Sequence, residues 1–379
     1  MVLTRRAHRA RMLITLWLPN EVLTEIIRCT PQSDQATLCR VSKLFHALVL
    51  PILNREVVFI FQDNDCSCHQ LLENFSRAFL ENPERADAAQ FTSICRSRDS
   101  DAKINIDLLL QAMKLMNNLE HLSFHDWHQP TIAARLAMAR LMFPRLSFCR
   151  MMGDFSASDA AHLVAFFAQH PSITRVCMLS RGLGHSDDSE SFEPQQSILP
   201  HLKQYEGRQL LFHKLATREL RAVRFGPCNQ LTTSDVQTLK ARIDHAFPLI
   251  LSLRLLDGGL ETAREHILSP LSAGIPNIRS LQLQTPPIDS SCMGPLKDMA
   301  MQLAQFRHIA YFAVTDRRHQ FLDVASAEAV FQTWTAASPT LQGCCIGEVA
   351  LMKVDEKKWE QWSVDEFEEQ AGFSVFDEI

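Results

Sequence analysis

The sequence predicts an α/β chain: a small three-helix unit at the N-terminus, then a curved repeat array with parallel strands and outer helices. Three observations lead there. Prolines punctuate short apolar helices between positions 16 and 57. Beyond Val57, short strand-like runs alternate with amphipathic helical stretches. The centres of the strand-like runs, near Leu122, Phe148, Val176, Val223, Leu253, Leu281 and Ile309, recur mostly at about 25–30 residues.

In the first unit Pro19 stands where a first-turn proline is tolerated, and Glu21 puts a carboxylate near the positive end of the helix dipole. Leu18, Val22, Leu23, Ile26 and Ile27 then follow helical spacing in a wide apolar stripe. Pro31 forbids continuation, and Ser33 or Asp34 is expected to cap a second helix carrying Leu38 and Val41. Leu44, Phe45, Leu48 and Val49 give a third helix, which Pro51 is expected to end. Three helices in about 40 residues are at the lower size limit for independent folding. With apolar residues on more than one face, such a unit needs a partner.

Leu18-Pro19-Asn20-Glu21-Val22-Leu23-Thr24-Glu25-Ile26-Ile27 resembles the opening of the F-box: Leu-Pro, an acidic residue two places on, then paired aliphatics. Thr37-Leu38-Cys39-Arg40-Val41-Ser42-Lys43-Leu44-Phe45 is similar to its second block, with Ser42-Lys43 and Phe45 where the family often has Cys-Arg and Trp. Leu50-Pro51-Ile52-Leu53-Asn54-Arg55-Glu56-Val57 resembles the exit found in many fungal members. The resemblance implies a non-catalytic substrate receptor of an SCF-type ubiquitin ligase, docked on a Skp-type adaptor and through it on a cullin. Carried over by position, the adaptor-binding residues are Leu18, Pro19, Val22, Leu23, Ile26, Ile27, Val41 and Phe45.

After Val57, the expected order is a strand over Glu56–Phe61, a helix over Gln70–Leu80, a strand over Gln90–Cys95, a helix over Ile106–Met116 and a strand from Leu119 to Phe124. A loose repeat follows, in which a helix leads through a Pro-x-aliphatic turn to a strand. The turns are Phe143-Pro144-Arg145-Leu146, His170-Pro171-Ser172-Ile173, Leu199-Pro200-His201-Leu202, Phe247-Pro248-Leu249-Ile250 and Ile275-Pro276-Asn277-Ile278. The helices before the first two are expected from Thr131 and from Ser158. One strand and one helix per period is a leucine-rich-repeat signature, degenerate here because no regular Asn or Cys marks the turns. A doubly wound or an irregular α/β domain are the competing folds. The former would want a glycine-rich turn after an early strand, and none is present.

These readings divide the chain into a basic disordered leader (1–15), the F-box (16–57), the repeat array (58–352) and an acidic C-terminal cap or tail (353–379). The leader carries Arg5, Arg6, Arg9 and Arg11. Arg181–Pro194 is polar and acidic and reads as a loop, and Leu341–Val354 reads as a last strand pair. Trp359, Trp362, Phe367 and Phe373 in the C-terminal region call for something to pack on.

A net charge of −5 argues against a nucleic-acid partner, since phosphate neutralisation needs a basic excess. The apolar run after the leader meets Pro19-Asn20-Glu21 rather than a small-residue cleavage site, and no run has the roughly 18–20 apolar residues of a membrane span. Eleven scattered cysteines, an odd number, fit reduced thiols in a cytoplasmic or nuclear protein. His121, His125 and His128 with Asp126 lie close in sequence, but no Glu-x-x-His or paired Cys-x-x-Cys accompanies them; Cys66-Ser67-Cys68-His69 reads as a helix start. With no nucleophile elbow or phosphate loop, no catalytic residue, cofactor or metal is expected.

The array is expected to hold an unknown protein substrate on its strands. Arg175, Arg224, Arg254 and Arg279 recur at strand positions as candidate substrate-binding residues. The alternative is an adaptor-binding or plain repeat scaffold with no part in ubiquitination.

Overall fold

The computed structural model describes residues 18–61, 66–96, 105–125, 140–153, 157–179, 198–207, 209–215, 219–228, 231–244, 246–255, 259–285, 288, 292–316, 323–355 and 358–376. Over these residues the chain is mixed α/β and forms two compact units, one of 18–125 with 140–146 and the other of 147–376. The leader, the helix expected from Thr131 and the loop Arg181–Pro194 lie outside the described residues.

The first unit opens with α1 (Asn20–Arg28), α2 (Gln32–Leu38) and α3 (Lys43–Leu53). Two expectations need correction. The residue before α2 is Pro31, so neither Ser33 nor Asp34 caps it. Instead the buried Gln35 amide reaches back to the Ile27 and Thr30 carbonyls at 3.0 and 2.9 Å, satisfying groups that the end of α1 leaves open. Pro51 lies inside α3, which runs to Leu53. The helix is already closing there, with Asn54 N–H donating to the Leu50 carbonyl, so the proline removes only one late bond.

Strand β1 (Glu56–Phe61) leads to α4 (Cys66–Glu81), α5 (Pro83–Asp87), β2 (Phe91–Arg96), α6 (Ile106–Met113) and β3 (His121–His125). The three strands are parallel and adjacent in chain order, with Val57 opposite Thr92 and Thr92 opposite Leu122. Val57, Ile94, Leu122 and Phe124 are buried on one face, and α4 packs on β1 and α6.

The second unit continues with β4 (Phe148–Met152), α7 (Ala157–Ala168), β5 (Arg175–Leu179), β6 (Gln204–Gly207), α8 (Gln209–Lys214), β7 (Ala222–Cys228), α9 (Thr233–Arg242) and β8 (Leu249–Leu255). Then come α10 (Gly259–Ala263), a π-helical turn (Arg264–Leu268), α11 (Ser269–Gly274), β9 (Ile278–Thr285), α12 (Met293–Asp298), α13 (Ala300–Leu303), β10 (Tyr311–Asp316), α14 (Val324–Ala337) and β11 (Gly343–Ile346). Each strand from β5 to β11 pairs in parallel with the one before it. Two antiparallel strands, β12 (Val349–Asp355) and β13 (Lys358–Trp362), finish the sheet. β12 therefore runs on past position 352. The strand expected at Ile309 starts at Tyr311, because Ile309 is the buried residue leading into the strand rather than its centre.

Why the turns recur is visible in the hydrogen bonds. Leu146, Ile173 and Leu202 each donate N–H to the carbonyl three residues back, at 3.1, 3.2 and 3.3 Å, with proline next to that acceptor. These are β-turns with proline at its favoured position, and each ends on a fully buried aliphatic. The residue just before a strand then offers one carbonyl to two successive N–H groups where the next strand begins, one from the residue preceding it and one from its first residue. Arg55, Gln90, Ser147, Thr174, Lys203 and Ala310 all do this.

A buried polar knot anchors α9. Its capping box joins Thr232 and Asp235, and His213 Nε2 lies 2.6 Å from Asp235 Oδ1. Burial alone would raise the Asp235 pKa, but hydrogen bonds from His213 and Thr232 outweigh it and hold the carboxyl below its ordinary 3.8. A depressed folded-state pKa adds stability above the unfolded value, and that stability is lost as pH falls through the folded one. Asp235→Asn should therefore cost about 1 kcal/mol near neutral pH. In urea melts across pH, the gap from the wild type should narrow below about pH 4.

Candidate functional site

The first three helices divide their apolar residues between two directions. On α1, Leu23 and Ile27, four residues apart, are buried, and Val49 of α3 is buried with them. Val22 and Ile26, also four apart and therefore on one stripe, are 42% and 49% exposed. At the start of α3, whose first turn is capped by the Ser42 hydroxyl accepting from Phe45 N–H, Val41 is 63% and Leu44 37% exposed. α1 and α2 both pack on α3. Leu18 and Phe45 are half-buried, and Pro19 is exposed.

In the second unit, strand register defines the sheet face opposite the large aliphatic core. Arg175, Gln204, Arg224, Ser252, Gln282, Tyr311 and Cys345 stand on it, because each pairs across the ladder with residues of the same parity. Three of the four candidate arginines, Arg175, Arg224 and Arg254, share this face. Arg279 sits at the register shift between β8 and β9, exposed, with its guanidinium 5.8 Å from the centre of the Tyr311 ring.

This face is occupied. After β13 the chain forms α15 (Val364–Ala371) and a 3-10 turn (Phe373–Phe376), and Phe367, Phe373 and Phe376 are buried against it. Arg175 Nη2 donates to the Val375 carbonyl at 2.5 Å, and Gln204 Nε2 donates to the same oxygen at 2.9 Å. Arg224 stacks on the Phe376 ring at 4.4 Å while its guanidinium reaches Glu206 at 3.4 Å. Beside them Cys177 Sγ donates to Glu206; burial, then that carboxylate, pushes the thiol pKa up to about 12. Gln282 donates to Glu368 at 3.1 Å, and Tyr311 meets Phe367 edge to face. The C-terminal aromatics call for something to pack on, but the polar residues of this face carry no apolar period that would mark it in the sequence.

Against known families, residues 16–51 match the F-box domain. This segment is an F-box domain. F-box domains typically bind Skp-type adaptors, and proteins that carry them are generally non-catalytic substrate receptors. The match ends at Pro51, inside the last turns of α3. Comparison with curated proteins gives no significant match.

Within the F-box the structure separates the candidate residues into two sets. Leu23 and Ile27 hold the helices together, whereas Val22, Ile26 and Val41 face outward with Leu44, which the motif had not singled out. Elsewhere, His121 and His125 share one side of β3 with Ser123, whose hydroxyl lies 2.6 Å from His125 Nε2; Asp126 and His128 lie outside the described residues. Cys66 begins α4. Among the described residues no group of three or more His, Cys, Asp or Glu is arranged to hold a metal ion, and no helix is long and apolar enough to cross a membrane.

Proposed function

We infer that this chain is the substrate-receptor subunit of an SCF-type ubiquitin ligase. The observation that carries the reading is the outward apolar set of the F-box, Val22, Ile26, Val41 and Leu44. Water-exposed aliphatics at this density, on α1, in the turn before α3 and on α3 itself, are the mark of a surface that is covered in a complex. The adaptor takes that cover, Leu18, Pro19 and Phe45 complete the contact, and the adaptor brings a cullin. The chain itself supplies no chemistry. It works where that machinery resides, in the cytoplasm or the nucleus.

The strands after the F-box are read as a leucine-rich-repeat-like solenoid that holds a protein substrate. Sequential parallel order supports this over a doubly wound sheet, in which the strand order reverses at a switch point. Right-handed crossovers in one direction put successive helices on one side, leaving the other for recognition. The repeated carbonyl that takes two N–H groups where the next strand begins is the device of a repeating unit.

Affinity capture of the full chain from cells should recover adaptor and cullin together. Ile26→Asp with Val41→Asp should lose both, and removing residues 16–57 should slow the turnover of at least one cellular protein. Adaptor without cullin, or no protein stabilised, would leave a scaffold; adaptor retained by the double aspartate variant would overturn the docking surface.

A further inference from the structure

We propose that the sheet face of β5–β11 is a peptide-docking groove, that Ser363–Phe376 is its resident occupant, and that partners bind by replacing it with a segment of the same chemistry. This deepens the receptor reading and rests on it. At its β10–β12 end the face packs Tyr311, Ala313, Cys345 and Met352 with Phe367 and Phe373 in an apolar cluster, whereas toward β5–β9 it carries Arg175, Gln204, Arg224, Ser252 and Gln282. Arg175 and Gln204 both donate to the segment's main-chain Val375 carbonyl and Gln282 donates to Glu368, while Arg224 also reaches Glu206 and Ser252 donates to Gln282 within the sheet. Main-chain recognition of that kind accepts any sequence that brings a carbonyl to the same place. Selectivity then falls to the aromatic anchors, Phe367 beside Tyr311, Phe373 beside Phe367, and Phe376 under Arg224.

The segment is also built as a self-contained ligand. Ser363 and Glu366 close a capping box at its start, and Gly372, with φ of 81°, turns the chain between α15 and the last aromatics. A side chain at Gly372 would meet the Ile250 methyl at 2.7 Å, so the turn sits flush on the sheet. Asp365, Glu366 and Glu369 face solvent. None of the sheet's ladder passes through these residues, so the strands remain paired when the segment leaves. The partner segment that fits is a short acidic amphipathic helix, a glycine-type turn, and aromatics spaced as Phe367, Phe373 and Phe376 are. Helix-in-groove recognition by a few apolar anchors is a general mode of peptide capture.

A tethered occupant competes at an effective concentration of about millimolar. A free peptide of about 10 µM affinity is therefore weakened about a hundredfold by the resident copy. The probe is a labelled peptide of residues 363–376, read by fluorescence polarisation on the full chain. Phe373→Asp with Phe376→Asp should undock the resident segment and leave the groove intact. Peptide should then bind this variant about a hundredfold more tightly than it binds the wild type. Adding Arg175→Ala and Gln204→Ala should remove that binding. Hydrogen exchange on the wild-type chain gives the second measurement: α15 amides should exchange at least about tenfold faster than those of β7–β9, as a separate opening unit. Equal peptide binding to both chains, no binding to the undocked variant, a variant that loses its fold, or α15 exchanging only with the sheet would each overturn the proposal. The assay contains no adaptor, so its failure is distinct from failure of adaptor capture.

Discussion

Leu23→Ala should lower the stability of the F-box unit by about 2–4 kcal/mol, whereas Ile26→Ala on the same helix should stay within about 0.5 kcal/mol of the wild type. The two side chains are similar in size and three positions apart, so their propensities and transfer energies do not separate them. Position does. Leu23 is 5% exposed and packs with Ile27 in the angle between the helices, so truncation leaves a cavity that short helices fill poorly. Ile26 is about half in water, and its truncation removes little that is buried. Binding should invert this order: Ile26→Ala should weaken adaptor capture by about tenfold or more, as truncating an interface anchor does. Urea melts of the purified chain and adaptor titration together resolve the pair. Equal stability losses in both variants would mean that Ile26 is part of the fold's own core. An unchanged adaptor affinity for Ile26→Ala would move the contact off this stripe.

Most of the element order was legible because apolar periodicity and proline punctuation report burial directly. The strand at Glu56–Phe61 has the bounds expected for it, and the helix expected at Gln70–Leu80 runs from Cys66 to Glu81. The Pro-x-aliphatic spacing marked turns that end on buried Leu146, Ile173, Leu202 and Ile278 and on half-buried Ile250. The F-box was legible because its Leu-Pro opening and paired aliphatics are local. What escaped is what depends on distant partners. Strand β6 reads Gln204-Tyr205-Glu206-Gly207, a polar string with no strand-like period, yet all four residues are buried. Gln204 is covered by Val375, 171 positions away, and Arg175 by the same carbonyl, 200 positions away. No window of sequence contains both ends of such a contact. The arginine spacing was visible, and three of the four do share a face; that two of them hold the chain's own C-terminal segment was not.

Trp334→Ala should cost the second unit about 3–5 kcal/mol. Trp334 is fully buried in α14, and its ring meets Phe312 of β10 at 4.8 Å and Phe331 of its own helix at 5.8 Å, both edge on. Its Nε1 donates to the Leu296 carbonyl in α12 at 2.6 Å, so one side chain joins a strand, its own helix and the neighbouring helix. Alanine removes the ring and also leaves the carbonyl without that donor. Trp334→Phe separates the two effects, since it keeps most of the ring and deletes only the N–H; its cost should be about 1–3 kcal/mol. Because adjacent strand–helix units stack on one another, the loss should spread along the sheet rather than stay in α14. Hydrogen exchange should show β10 and β11 deprotected first in Trp334→Ala, while the F-box helices keep wild-type protection and the chain still captures adaptor. Simultaneous loss of protection in α1–α3 would instead mean that the F-box draws its stability from the second unit.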